Sequence, residues 1–167
     1  TVTTDIEEVC LRDLEGRVIA DTIKATINVP GYDNSAMDGF AVNADFIKEP
    51  ATTLAISQII PAGKTGEKLK EGTAARIFTG APLPEDADAV VMQENCDYTE
   101  NEVTINQPVT SGENVRKQGN DVRSGVTLFG AGHRLRAPDI GVLASVGITK
   151  VVVSRRLRVA LLTTGDE

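Results

Sequence analysis

The sequence predicts a mainly β fold with few helices, arranged as a small barrel or a coiled sheet. Three observations predict it: the apolar runs are short and evenly spaced, they are rich in β-branched residues, and clusters of glycine and proline separate them. Short strands joined by such turns are typical of small barrels and coiled sheets. The predicted strands are 53–60, 74–79, 89–94, 103–107 and 126–129.

The residues before these strands predict three further elements. Residues 5–11 have the pattern of a short strand, and 12–17 that of a turn or a single helical turn. Residues 18–29 predict a long extended segment, which Gly31 and the polar cluster at 33–39 bring to an end.

One helix is predicted, over residues 138–146. Pro138 lies near its start, Asp139 in its first turn and Gly147 near its end, and these are the positions that such residues favour. The lone histidine, His133, precedes the helix and is interpreted as a turn residue. The apolar face of the helix consists of Ile140, Leu143, Ala144 and Val146.

The character of the sequence changes near its end. Residues 149–154 predict a strand, and Arg155 and Arg156 interrupt the apolar pattern. The continuous apolar run at 158–164 predicts a strand buried on both faces, as at the start of a parallel α/β domain. Because the sequence ends where a βα loop would begin, we expect it to be the amino-terminal piece of a longer protein.

Composition narrows the class of protein. The chain has 167 residues, of which 41% are hydrophobic, enough for one large or two small domains with a core. The absence of Trp, aromatics at only 4% and a net charge of −7 argue against a nucleic-acid-binding barrel. No apolar run approaches the ~20 residues that a membrane-spanning helix needs.

Cys10 and Cys96 are interpreted as reduced, buried thiols of a cytoplasmic protein, and a single histidine excludes a histidine-rich metal centre.

The first candidate site is VPGYDNSAMDGFAV, residues 29–42. Its polar side chains can hold a hard cation such as Mg²⁺, or one aspartate could act as a general base. The alternative is that they only form Asx turns and that Asp38-Gly39 belongs to a hairpin turn. The oxygen-bearing residues are Asp33, Asn34, Ser35 and Asp38.

The second candidate site is RIFTGAPLPEDADAVVMQE, residues 76–94. Thr79 can donate its hydroxyl to a phosphate or to a metal-bound water, and Gly80 allows a ligand to approach the backbone closely. Pro82 and Pro84 stiffen the loop. A plain rigid connector between two strands is the alternative.

Two further segments have the composition of binding sites. In GENVRKQGNDV, residues 112–122, Arg116 and Lys117 beside glycines suit the capture of an anion, although a solvated basic loop is equally compatible. Residues 1–113 contain 8 basic and 20 acidic residues, whereas residues 114–167 contain 9 basic and 4 acidic residues. This asymmetry agrees with a carboxyl-terminal part that receives an anion, and it agrees equally with two solvated faces of opposite charge. TTGDE, residues 163–167, follows a predicted buried strand, where open α/β sheets place ligands.

Five motifs together resemble one known family, in order and in spacing. They are VPGYDNSAMDGFAV, RIFTGAPLPEDADAVVMQE, SGENVRKQGNDV, LRAPDIGVLASVGI and RVALLTTGDE. Over essentially its whole length the chain resembles the MoeA family of molybdopterin molybdenumtransferases, to which the gephyrin E domain is related. The resemblance implies an elongated domain of discontinuous β segments, 1–31 with 118–156, used for dimerisation. It also implies an inserted small β-barrel at 32–117 and the first strand of a truncated α/β pterin-binding domain at 157–167.

The resemblance further implies an activity and a site. The family inserts molybdenum from molybdate into adenylylated molybdopterin with release of AMP, assisted by Mg²⁺, and Asp38, Thr79 and Glu167 are the catalytic positions. Asp38 is expected to act through Mg²⁺ or a bound water. From their position and charge, substrate contacts are predicted for Ser35, Gly80, Arg116, Lys117 and Arg123.

The protein is expected to be a cytoplasmic homodimer that also interacts with other molybdenum-cofactor assembly proteins. It is not expected to bind nucleic acid or a membrane. The 167-residue piece alone is expected to be inactive, because it would lack most of the pterin-binding domain. The alternative is a dimerisation or docking module of a cofactor-assembly or scaffold protein.

Overall fold

The computed structural model describes residues 5–165, which form two compact units. The terminal unit takes in the described residues up to Ile27 and those from Ser124 onward, and the sheet unit spans Asn28–Arg123. The elements of the terminal unit are β1 (Ile6–Cys10), β2 (Ile23–Lys24), β11 (Thr127–Phe129), α1 (Ala137–Ser145) and β12 (Lys150–Ser154). The strands of the sheet unit are β3 (Asn34–Ser35), β4 (Gly39–Val42), β5 (Thr52–Ile60), β6 (Thr73–Ile77), β7 (Ala89–Met92), β8 (Cys96–Tyr98), β9 (Glu102–Ile105) and β10 (Val115–Arg116). Short 3₁₀ turns cover Leu11–Asp13, Ala44–Phe46 and Gln93–Asn95.

The sheet unit is built on one curled, six-stranded half-barrel with the strand order β7-β4-β6-β5-β9-β8. Only β5 and β6 pair in parallel; the other neighbours are antiparallel. All four residues of β4 are buried, because Phe40 packs into one apolar cluster and Ala41 into another on the opposite face. The predicted mainly β fold class is confirmed, and all five strands predicted from the central apolar runs overlap observed strands.

The terminal unit joins the two ends of the described chain, because β1 pairs antiparallel with β12. Its core contains Leu14, Ile19, Leu143 and Val153 among others. Arg17 is 8% exposed and donates from Nη2 to the carbonyl of Ser154 and to the carboxylate of Glu7, so its charge is paired where it is buried. The predicted helix is confirmed as α1, one residue earlier than expected.

The structure corrects two strand predictions. Residues 18–29 do not form one extended element, since Val18, Ile19 and Val29 each make a single bridge to a different partner and only β2 is a strand. Residues 158–164 have no regular secondary structure, and Leu162 is 88% exposed. An apolar segment forms a strand only when it is hydrogen-bonded to a neighbouring strand, and none of the described strands pairs with residues 158–164.

The cysteine prediction is also partly wrong. Cys10 is exposed at the end of β1, whereas Cys96 is half-buried against the apolar cluster around Phe40.

Across residues 5–165, no helix has the length and apolar character needed to cross a membrane.

Candidate functional site

Asp38 and Thr79 meet at one end of the half-barrel. Asp38 immediately precedes β4 and Thr79 follows β6, and the pairing of Gly39 with Ile77 in these antiparallel strands puts the two positions side by side. The Asp38 carboxylate oxygen Oδ1 accepts the backbone N–H of Thr79 at 2.8 Å and its hydroxyl at 2.7 Å. Both residues are exposed, so the pair is accessible to a ligand.

This geometry favours the ionised form of Asp38. The backbone N–H of Thr79, then its hydroxyl, and to a lesser extent the charge of Arg76 lower the pKa of Asp38 below its usual value. Within residues 5–165, Oδ2 of Asp38 accepts no hydrogen bond. The site therefore presents one oriented carboxylate with a free oxygen, which suits a hydrated cation or a water molecule.

Gly39 is required by close packing and not by a hairpin turn. A Cβ at this position would lie 1.9 Å from the carbonyl oxygen of Val91 on β7, which no side chain can tolerate. The interpretation of Asp38-Gly39 as hairpin chemistry is wrong, because Gly39 is the first residue of β4, with neighbours on both sides. The carbonyl of Asp38 accepts the backbone N–H of Gln93, which anchors it further.

Ser35 and Gly80 have local structural roles. Ser35 is 1% exposed, and its hydroxyl donates to the carbonyl of Met37 two residues on. This burial argues against the predicted substrate contact, because the hydroxyl already has its partner. Gly80 adopts φ +82°, a left-handed conformation that favours glycine, and donates its N–H to the carbonyl of Ser35.

The basic loop is tied to the first motif through Asp33. The two oxygens of its carboxylate accept Lys117 Nζ at 2.8 Å and the backbone N–H of Gln118 at 2.7 Å. The Lys117 hydrogen bond, followed by that of Gln118, lowers the pKa of Asp33. Lys117 is therefore already paired, whereas Arg116 and Arg123 are exposed and form no ion pair within the described part of the chain.

The structure does not bring together every predicted site residue. Glu167 lies outside the described residues. Among residues 5–165, no group of three or more His, Cys, Asp or Glu side chains could hold a metal ion, so Asp38 alone represents the predicted magnesium site.

Sequence reasoning missed Arg76, which lies on β6 three residues before Thr79. Its guanidinium donates to the carbonyl of Gly39 at 3.2 Å and to the side-chain oxygen of Gln93. The alternation of Arg76 and Phe78 around buried Ile77 was the available signal, because it puts a cation and an aromatic ring on one face of the strand.

Comparison with known proteins gives a consistent result. The family described as "MoeA N-terminal region (domain I and II)" matches residues 1–147. Proteins named molybdopterin molybdenumtransferase from Haemophilus influenzae and a Nostoc species are 36% and 40% identical over 98% of the chain. The chain spans 41% and 38% of their respective lengths.

Solved structures agree with this match. Two crystal structures of the molybdopterin biosynthesis MoeA protein from Pyrococcus horikoshii superpose with TM-scores of 0.88 and 0.84, at 36% and 33% identity. They match 93% and 90% of this chain, which corresponds to 41% of each solved chain. With its half-barrel, its Asp38–Thr79 pair and these similarities taken together, the chain belongs to the MoeA family, to whose amino-terminal region it corresponds.

Proposed function

We propose that the chain is the amino-terminal part of a molybdopterin molybdenumtransferase, which inserts molybdenum from molybdate into adenylylated molybdopterin and releases AMP. The names of the relatives support a role in molybdenum cofactor biosynthesis. The observation that supports the site is the Asp38–Thr79 pair: an ionised, accessible carboxylate whose Oδ2 has no partner among the described residues.

Charge dictates how such a carboxylate can assist. Molybdate and the phosphates of the pterin substrate are anions, and Asp38 repels them unless a cation lies between. Mg²⁺ binds proteins through one or two carboxylates and completes its shell with water and phosphate oxygens, so one free carboxylate oxygen fits this ion. Bound there, Mg²⁺ would neutralise the negative charge that accumulates during transfer.

The chain's own residues have distinct tasks in this proposal. Thr79 orients Asp38 and keeps it ionised, and Gly39 lets β4 approach β7 closely enough to fix the backbone at this position. Arg116 and Arg123 attract the anionic substrate, whereas Lys117 positions its loop through Asp33. Glu167 is proposed to contribute a further carboxylate.

The test is molybdenum insertion by the full-length protein carrying Asp38→Asn or Thr79→Ala. We expect both variants to lose most activity while folding normally, because both side chains are exposed. Glu71→Gln, an exposed carboxylate of the same unit, is the matched control and should retain activity. Full activity in both site variants would refute the catalytic role and favour a docking module.

We further propose that the full-length protein is a cytoplasmic homodimer that receives its substrate from other cofactor-assembly proteins. Exposed apolar side chains of the terminal unit support self-association: Ile27 is 48% exposed and Val142, on α1, is 38% exposed. Sedimentation of the full-length protein should give a dimer. A monomer at high concentration would contradict this.

A further inference from the structure

The sheet unit contains an aromatic pocket that the proposed function leaves unused. Its volume is about 430 Å³, within the range of small-molecule sites. Its lining is mostly apolar, with one cation and one carboxylate. The residues that matter are Phe40, Phe78, Tyr98, Ile59, Arg76 and Glu100.

Arg76 is held among the rings of this pocket. Its guanidinium carbon lies 4.9 Å from the ring centre of Phe40, 5.0 Å from that of Phe78 and 5.3 Å from that of Tyr98. Two of its five N–H groups donate to Gly39 and Gln93. The other three have no acceptor within residues 5–165, so a ligand can take them.

The remaining lining complements such a ligand. Glu100 is exposed and has no cationic partner among the described residues, so its carboxylate can accept a hydrogen bond from an amino group. Ile59, 65% exposed, and Tyr98, 50% exposed, offer apolar surface to the faces of a flat molecule. Acceptors, a flat face and an amino donor occur together in amino-substituted heteroaromatic rings.

We propose that this pocket binds a planar, amino-substituted heteroaromatic ring of the purine or pterin type. The inference rests on the proposed function, since adenylylated molybdopterin has one ring of each type. The lining residues are neighbours of the Asp38–Thr79 pair along the chain: Phe78 precedes Thr79, and Arg76 donates to the carbonyl of Gly39, which follows Asp38. A ring bound here would place the rest of the substrate near that carboxylate.

A single spectroscopic probe can test the pocket. The chain has only two tyrosines, Tyr32 and Tyr98, so the Tyr32→Phe variant labelled with 3-fluorotyrosine has one ¹⁹F signal, located in the pocket. The 167-residue chain would be titrated with AMP, with neopterin and with ribose 5-phosphate, which lacks a ring. We expect a saturable shift with AMP, with neopterin or with both, and none with ribose 5-phosphate. The responding compound identifies the ring.

Two variants tie the signal to the pocket. Arg76→Gln should weaken ring binding by about tenfold through loss of a cation–π contact and a hydrogen bond. Ile59→Glu should also weaken it, and because Ile59 is exposed this change does not disturb the core. No saturable shift at about 10 mM of either ring compound, where even millimolar affinity would be visible, overturns the proposal.

Two further outcomes complete the test. A shift that follows protein concentration alone would mean that a second copy covers the pocket, and it would also overturn the proposal. Asp38→Asn should retain ring binding but abolish molybdenum insertion in the full-length protein, so failure of the pocket and failure of the proposed function are distinguishable.

Discussion

One oxygen of the Asp38 carboxylate accepts two hydrogen bonds from Thr79, one from its backbone N–H and one from its hydroxyl. The two residues are separated in sequence by β4, β5 and β6, and they meet because β4 pairs with β6. The arrangement uses one oxygen completely and leaves Oδ2 without a protein partner in the described chain. It therefore combines fixed orientation with an open ligand position.

The first prediction concerns the charge of Asp38. Thr79→Val removes the hydroxyl donor but keeps the backbone N–H, which lowers the pKa most. We expect the pKa of Asp38 in this variant to rise yet remain below its usual value, and Thr79→Ser to leave it unchanged. A ¹³C carboxyl NMR titration measures this. An unchanged pKa in Thr79→Val would show that the hydroxyl bond does not form in solution.

The second prediction concerns Gly39. Gly39→Ala places a Cβ against the Val91 carbonyl, and the backbone of β4 or β7 must move to relieve the clash. We expect a loss of about 2 kcal/mol or more in the free energy of unfolding, as for other overpacked positions. Urea denaturation measures it. Gly31→Ala, which meets nothing within 4 Å, is the control and should change stability by less than about 0.5 kcal/mol.

These residues show how far the sequence determines the site. The five central strands and the helix could be located because local periodicity and turn residues set them. The role of Gly39 could not, since the contact that demands glycine comes from Val91, far along the chain, whereas the local Asp-Gly pattern indicates a hairpin. Likewise the run at 158–164 has strand composition, but a strand also requires a neighbour, which no local pattern supplies.

The third prediction concerns Asp139, whose carboxylate caps α1. It accepts the backbone N–H of Arg136 at 3.0 Å and lies 2.9 Å from Nε2 of His133, and these bonds, that of His133 first, lower its pKa. A lowered carboxyl pKa contributes stability above the pKa of the unfolded chain, and that contribution is lost as pH falls through the folded-state value. We therefore expect the chain to become less stable over this acidic window.

Asp139→Asn tests this directly. The variant should be less stable at neutral pH and should show a shallower loss of stability on acidification, measured by urea denaturation at several pH values. Asp21→Asn, at an exposed carboxylate of the same unit, is the matched control and should follow the parent chain. Identical pH profiles for Asp139→Asn and the parent would contradict the prediction.

The fourth prediction separates the two cysteines by reactivity. Burial raises the pKa of the Cys96 thiol to about 11, and its S–H donates to the carbonyl of Met92 at 3.4 Å. Because the thiolate is the reactive form, about one Cys96 in a thousand is reactive at pH 8. Cys10 is exposed at the surface, where a reagent can reach its sulfur directly. We expect a disulfide reagent to label one thiol per folded chain rapidly and the second only after unfolding in urea.

Two variants identify the reactive thiol: Cys10→Ser should abolish the rapid phase of labelling, and Cys96→Ser should retain it. Two rapidly labelled thiols in the folded chain would mean that the cluster around Cys96 opens readily to solvent.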